Sequence, residues 1–285
     1  MAQYKGLDIP VSIIGPGSQV SQDDDVLDYM SMPNDMSVFN APVLMDYKLE
    51  NYPEAALVIQ KLTDVLNGFT EKTETTTIDF SHIAKNDIDF INKFLGEGEV
   101  SIIFNEDKVQ YRVQETVLAG VWRIMGNDNG TIIQSFEVGS CPKFIATHTF
   151  KNANLNLNIP EVPIEGTINA PSILTELSDK SFCWLHGDDP HVVNLTLLPQ
   201  SPEDLEMLNN FLMIGPTLAL SRGYGSCRVS STMLKNVWWV QYFNSDDKLI
   251  LNTIEVVDIP VVIQASQEDI EDSQERLIEM IDSVL

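Results

Sequence analysis

The sequence predicts an α+β protein built from two tandem repeats of one unit. Each unit is a mostly antiparallel sheet with helices on one face, and an N-terminal arm and a C-terminal helix lie outside the repeats. Three observations carry this. First, Arg112–Trp122 aligns with Arg228–Trp238 at an offset of 116, with six of eleven positions identical, where chance gives about one or fewer. Second, apolar spacing in both units switches from a helical period to short alternating runs. Third, the turn-rich connections between those runs are too short for parallel crossovers, so the strands must pair antiparallel.

The alignment extends both ways. Asp87, Asn92, Phe94 and Gly98 meet Asp204, Asn209, Phe211 and Gly215, Pro53 meets Pro171, and Pro142 meets Pro260. Each repeat opens with a helix, at about Pro53–Asn67 and again after Pro171, where proline suits the first helical turn. Short strands follow at Thr76–Phe80 and Val192–Leu198. The next helices are marked by Ile88, Ile91 and Leu95 and by Leu205, Leu208 and Leu212, at helical spacing. Ser201-Pro202-Glu203-Asp204 supplies a cap and a capping box, and Gly96 and Gly98 end the first-repeat helix. Four strands complete each repeat: Val100–Phe104, Val109–Val113, Leu118–Ile124 and Thr131–Val138, then Thr217–Ser221, Cys227–Ser231, Asn236–Phe243 and Leu249–Val256.

The domain organisation expected is an extended arm over residues 1–50, a first repeat over 51–150, a linker over 151–170, and a second repeat over 171–285 that includes the C-terminal helix. Ser266 caps that helix, with Asp269 three residues on. Its apolar stripe, Ile270, Leu277, Ile281 and Val284, is expected to pack on the second domain.

Composition bounds the function. The chain has 285 residues and a net charge of −25. Nucleic-acid binding needs a basic footprint, and anionic membranes repel such a chain. No stretch approaches the roughly 20 apolar residues of a membrane span, and Met1–Pro10 does not read as a secretory signal. The expected location is therefore the cytoplasm. Cys141, Cys183 and Cys227 are far apart and odd in number, so they read as reduced, mostly buried thiols.

No catalytic constellation emerges, so the chain is expected not to be an enzyme. No Gly-x-Ser-x-Gly elbow occurs. Gly15-Pro16-Gly17 lacks a third glycine and a lysine, and Pro16 removes a donor that a phosphate cradle needs. No cofactor signature is present. The metal candidates are His186, Asp188, Asp189 and His191, two imidazoles and two carboxylates within six residues. With no second cluster to complete a shell, they read first as an ordinary turn. On Val237–Phe243, alternation places Trp238, Val240 and Tyr242 on one face and Trp239 on the other. That second face is either a buried strand surface or an aromatic docking surface.

These segments resemble the HupH/HyaF family of hydrogenase expression/formation proteins. The resemblance is carried by Leu95–Ser101, Gln114-Glu115, Gly120–Arg123, Asn194–Pro199, Arg222–Gly225, Val237-Trp238, Glu255-Val256 and Gln267–Asp269, in order along nearly the whole chain. It implies an accessory role in maturing a nickel–iron hydrogenase. The expected partners are the small-subunit precursor, with its iron–sulfur clusters and basic export signal, and other maturation proteins. The alternative it leaves is a metal or iron–sulfur handling factor for the same assembly. It carries over no catalytic residues. The turns at matching positions nominate Glu97, Glu99, Arg123, Arg222 and Tyr224, together with Trp239, as partner-binding residues.

Overall fold

A computed structural model describes residues 48–70, 75–160, 164–223 and 225–284. The expected arm therefore lies outside the described residues, apart from its last three. The first repeat runs α1 (Pro53–Asn67), β1 (Thr76–Asp79), α2 (Lys85–Leu95), β2 (Val100–Glu106), β3 (Val109–Glu115), β4 (Val121–Asp128) and β5 (Thr131–Val138), followed by a short α3 (Lys143–His148). The second runs α4 (Ala170–Cys183), β6 (His191–Asn194), α5 (Pro202–Leu212), β7 (Ile214–Ser221), β8 (Ser226–Thr232), β9 (Val237–Phe243) and β10 (Leu249–Val256), followed by α6 (Gln267–Asp282).

The strands form one ten-stranded sheet, in the order β1-β5-β4-β3-β2-β7-β8-β9-β10-β6. Every neighbouring pair is antiparallel. Equivalent strands β2 and β7 pair at the centre, with Ile102 opposite Ala219. That pair has the same sequence separation as Gly98 and Gly215, so an approximate two-fold axis passes through it. The two expected sheets are thus one, and the central pairing removes an open edge from each half.

Matching hydrogen bonds explain why matching residues recur. Asp87 Oδ1 accepts from Ala55 N at 2.9 Å, at the start of α1. Asp204 Oδ1 accepts from Ile168, Asn169 and Ala170 N at 2.8, 3.0 and 2.9 Å, at the start of α4. Each carboxylate thereby satisfies donors that a helix N-terminus leaves unpaired. Trp122 Nε1 donates to Gly139 O at 2.8 Å and Trp238 Nε1 to Val257 O at 3.2 Å, and both rings are fully buried.

Several strand bounds differ from expectation, and two of the differences have a visible cause. β4 begins at Val121 rather than Leu118, because Gly120 adopts φ +73° in a turn closed by Val121 N to Leu118 O. β6 stops at Asn194, whose side chain accepts from Thr196 N and starts a 3-10 turn over Leu195–Leu197.

Both sheet faces are covered, not one. One face carries Val121, Phe136 and Val138, and a core with α1 and α2 forms over them. Its continuation carries Val237, Trp239 and Ile254, packed with α4 and α5. The opposite face, bearing Tyr111 and Trp238, is covered by the segment around α3. There the Phe144 ring lies 4.0 Å from that of Tyr111, and Phe150 lies edge-on to Trp238 at 5.1 Å.

The C-terminal helix is a correction. α6 returns to the first half instead of packing on the second. Leu49 N donates to Val284 O at 3.0 Å, Gln274 Nε2 to Asn67 Oδ1 at 2.7 Å, and Arg276 Nη1 to Val117 O at 3.0 Å. Ile270 fills the space above Gly120, where a Cβ would lie 2.4 Å from Ile270 Cγ1. The expected linker is docked as well. Asn154 exchanges backbone bonds with Met233 and Lys235 at 2.7 and 2.9 Å, and Leu157 and Ile159 pack on the second core.

Candidate functional site

Two of the three turn segments named from sequence meet at the central seam. Gly98 N donates to Glu115 O at 2.7 Å, and Arg222 N to Glu99 O at 3.1 Å. Glu99 and Arg222 are both exposed there. The Glu99 carboxylate closes over Gly223, where a Cβ would lie 2.3 Å from its Oε2. Beneath them Glu115 is buried and accepts from Gly120 N at 3.3 Å. Burial pushes its carboxyl up to about 7, against the pull of backbone N–H donors and with the charge of Glu99 adding to the rise.

Arg123 lies apart from this cluster. Glu115 is paired with Trp122, so the next residue of β4 points to the opposite face. Burial holds the Arg123 guanidinium below its usual range, while the carboxylates of Glu97 and Asp89 oppose that fall. Its Nη2 is 3.2 Å from Met125 Sδ. Glu97 is half-buried and acts on Arg123 rather than standing free at the surface. Trp239 is 5% exposed and donates from Nε1 to Asn252 Oδ1 at 2.6 Å. It fills the second core, so of the two expectations for its face the buried strand fits and the docking surface does not. Tyr224 lies outside the described residues.

The histidine loop does not gather its ligands. His186 Nδ1 is 2.6 Å from Asp258 Oδ2, whereas His191 Nε2 is 2.8 Å from Glu176 Oε1. Asp188 Oδ2 accepts from Leu185 N at 2.9 Å, and Asp189 is exposed. Among the described residues no group of three or more His, Cys, Asp or Glu side chains is arranged to hold a metal. Cys141 and Cys227 are buried while Cys183 is exposed, and burial pushes the Cys227 thiol up to about 12.

The surface that sequence reasoning missed is the sheet edge at β6. It is the last strand on the second-repeat side, so half of its backbone groups face away from β10. Phe182, Leu185, Val192, Leu197, Leu198, Leu249 and Ile250 are all exposed, Leu197 by 79%. Since Asn194 pairs with Thr253, the 3-10 turn after β6 runs beside Leu249 and Ile250 at the start of β10. Exposed Asp188-Asp189 precede this edge and exposed Asp246-Asp247 precede β10.

The equivalent edge of the first repeat differs. β1 carries Thr77 and Asp79, and Ser81 joins it to β5 by accepting from Gln134 N at 2.9 Å. Alternation cannot distinguish an edge strand from an interior one. The available signal was Leu195, Leu197 and Leu198, apolar on both sides of a strand that Asn194 terminates.

Comparison with known proteins gives one consistent result. The family model described as "HupH hydrogenase expression protein, C-terminal conserved region" matches twice, over residues 53–153 and 167–284. The hydrogenase expression/formation protein HoxQ of Cupriavidus necator is 41% identical over 275 residues, 96% of each chain. The hydrogenase expression/formation protein HupH of Rhodobacter capsulatus is 33% identical over 278 residues, 97% of this chain and 98% of that one. The hydrogenase-1 operon protein HyaF of Escherichia coli is 28% identical over 276 residues, 94% of each.

Proposed function

The chain belongs to the HupH family of hydrogenase expression/formation proteins, and on that premise we propose that it is a maturation chaperone that binds the hydrogenase small-subunit precursor. The exposed apolar edge at β6 carries this reading. An open strand edge offers main-chain hydrogen bonds to an extended segment, and exposed apolar side chains beside it reward burial. The acidic pairs near the edge, in a chain of net charge −25, favour a client segment with basic flanks. Such a chaperone needs no catalytic groups.

Among the described residues of the partner surface named from sequence, Glu99 and Arg222 are the exposed ones, and we assign them a secondary contact with the client at the seam. Arg123, on the opposite face of the sheet with Glu97 acting on it, takes no part in that contact.

Co-purification with the precursor, with and without its export signal, tests the function. Association that weakens without the signal supports a chaperone that reads the signal. Association in neither form contradicts the chaperone reading.

A further inference from the structure

A second surface has the opposite charge. A cleft of about 960 Å³ opens where the loops after β5 and β10 approach each other, tied by Ala265 N to Ser140 O at 2.9 Å. Lys143, Lys151 and Lys235 line it, above apolar Phe150, Val257 and Ile259. The whole chain has only 17 lysines and arginines against 42 acids, so three ammonium groups give the described lining of one cleft a local excess of positive charge.

The described acids that bear on them are already engaged. Among the described residues Asp258 is the one carboxylate in the lining, and it is already engaged. It accepts from Trp184 Nε1 at 2.9 Å and Gly187 N at 3.0 Å, and it faces His186 at 2.6 Å. Glu137 is buried, and that burial raises its carboxyl, against the pull of the Lys143 backbone N–H, the Thr77 hydroxyl and the Lys143 charge. All three lysines are exposed. No ion pair within 4.0 Å holds any of them among the described residues.

The repeat alignment shows that these charges were not inherited by both halves. Pro142 and Pro260 correspond, so Lys143 stands where the second repeat has Val261. At the tryptophan offset, Lys235 stands where the first repeat has Ala119. Lys151 comes from the connecting segment. The cationic lining therefore exists only where the two repeats and their connection come together.

The spacing selects the ligand. Lys143 begins α3 and Lys151 follows its end, so their backbones are on the order of 10 Å apart by helical rise. Lysines are point charges on flexible stems, without the planar fork of arginine. Charges dispersed over an apolar floor match carboxylates spread along a chain better than one compact phosphate. We propose that this cleft binds an acidic polypeptide segment, with its carboxylates on Lys143, Lys151 and Lys235 and an apolar side chain against Phe150, Val257 and Ile259. The site is independent of the β6 edge and of the small-subunit reading.

The test is fluorescence anisotropy with a labelled ten-residue peptide of alternating glutamate and leucine. The wild-type chain is expected to bind it more tightly than a lysine–leucine peptide of the same length. The triple variant Lys143→Glu, Lys151→Glu, Lys235→Glu is expected to lose at least about tenfold in affinity. The corresponding glutamine triple, which removes charge without adding repulsion, is expected to lose severalfold. The triple Lys61→Glu, Lys108→Glu, Lys248→Glu has the same net charge and is expected to bind like wild type. Circular dichroism establishes that each variant is folded. Absence of binding, equal losses in the two charge-reversed triples, or displacement of the peptide by equimolar tripolyphosphate would each overturn the proposal. None of these outcomes bears on precursor co-purification, so the two readings fail separately.

Discussion

Ile102 of β2 faces Ala219 of β7 across the centre of the sheet, and the two are equivalent positions of the two repeats. The first repeat depends on the second twice, through this seam and through α6, which lies against α1. Separately produced fragments 1–153 and 154–285 are therefore expected to self-associate or remain unfolded, and to form one stable heterodimer when co-expressed. Light scattering after size-exclusion chromatography checks this, and two folded monomeric fragments would contradict the dependence.

Close approach makes Gly98 and Gly215 sensitive. A Cβ at Gly98 would sit 2.2 Å from Thr116 O, and one at Gly215 would sit 2.7 Å from Thr232 O, both backbone atoms. Alanine at either position is expected to cost about 1–3 kcal/mol. At Gly68, where the nearest backbone oxygen is 3.6 Å away, alanine is expected to cost less than about 1 kcal/mol. Urea midpoints of the three variants provide the comparison.

Glu115 couples stability to pH. Its carboxyl is raised from 4.5 to about 7 in the folded chain, so the folded state binds more protons than the unfolded one between those values. Stability is then fully present below about pH 4.5 and declines as pH rises through 7, by up to about 3 kcal/mol from this group. Burial raises Glu137 and Glu255 in the same direction. Glu115→Gln, which keeps an oxygen acceptor for Gly120 N, is expected to be more stable than wild type at pH 8 and to flatten the slope. Urea unfolding at pH 5, 6.5 and 8 measures it, and an unchanged slope would contradict the buried-carboxyl origin.

The β6 edge predicts a separation of folding from binding. Leu197 and Ile250 are exposed, so Leu197→Asp with Ile250→Asp is expected to change stability by less than about 1 kcal/mol. Precursor retention is expected to fall by about tenfold or more. Leu57→Asp, at another exposed apolar position on α1, is expected to retain the precursor fully.

Local signals in the sequence were legible where one residue type has one physical use. Ser201 caps α5 with the expected capping box, Ser266 caps α6, and Trp122 and Trp238 occupy matching core positions. Long-range choices were not legible. The apolar residues of β2 and β7 suit an interior strand in one sheet or in two, so the seam at Ile102 and Ala219 could not be read from alternation. The stripe of Ile270 and Leu277 shows that α6 must pack, not on which half. Of the residues nominated for a partner, Glu99 and Arg222 were legible as exposed, because turn glycines mark surface loops. Trp239 misled, since an aromatic in a strand reads alike whether it is buried or presented.

Hydrogen–deuterium exchange of the backbone amides of residues 191–198, with and without the small-subunit precursor, tests the client surface most directly. Slower exchange at β6 and its following turn, lost in the Leu197→Asp, Ile250→Asp variant, is the expected result. Unchanged exchange over 191–198 while the precursor is bound would contradict strand addition and place the client elsewhere on the molecule.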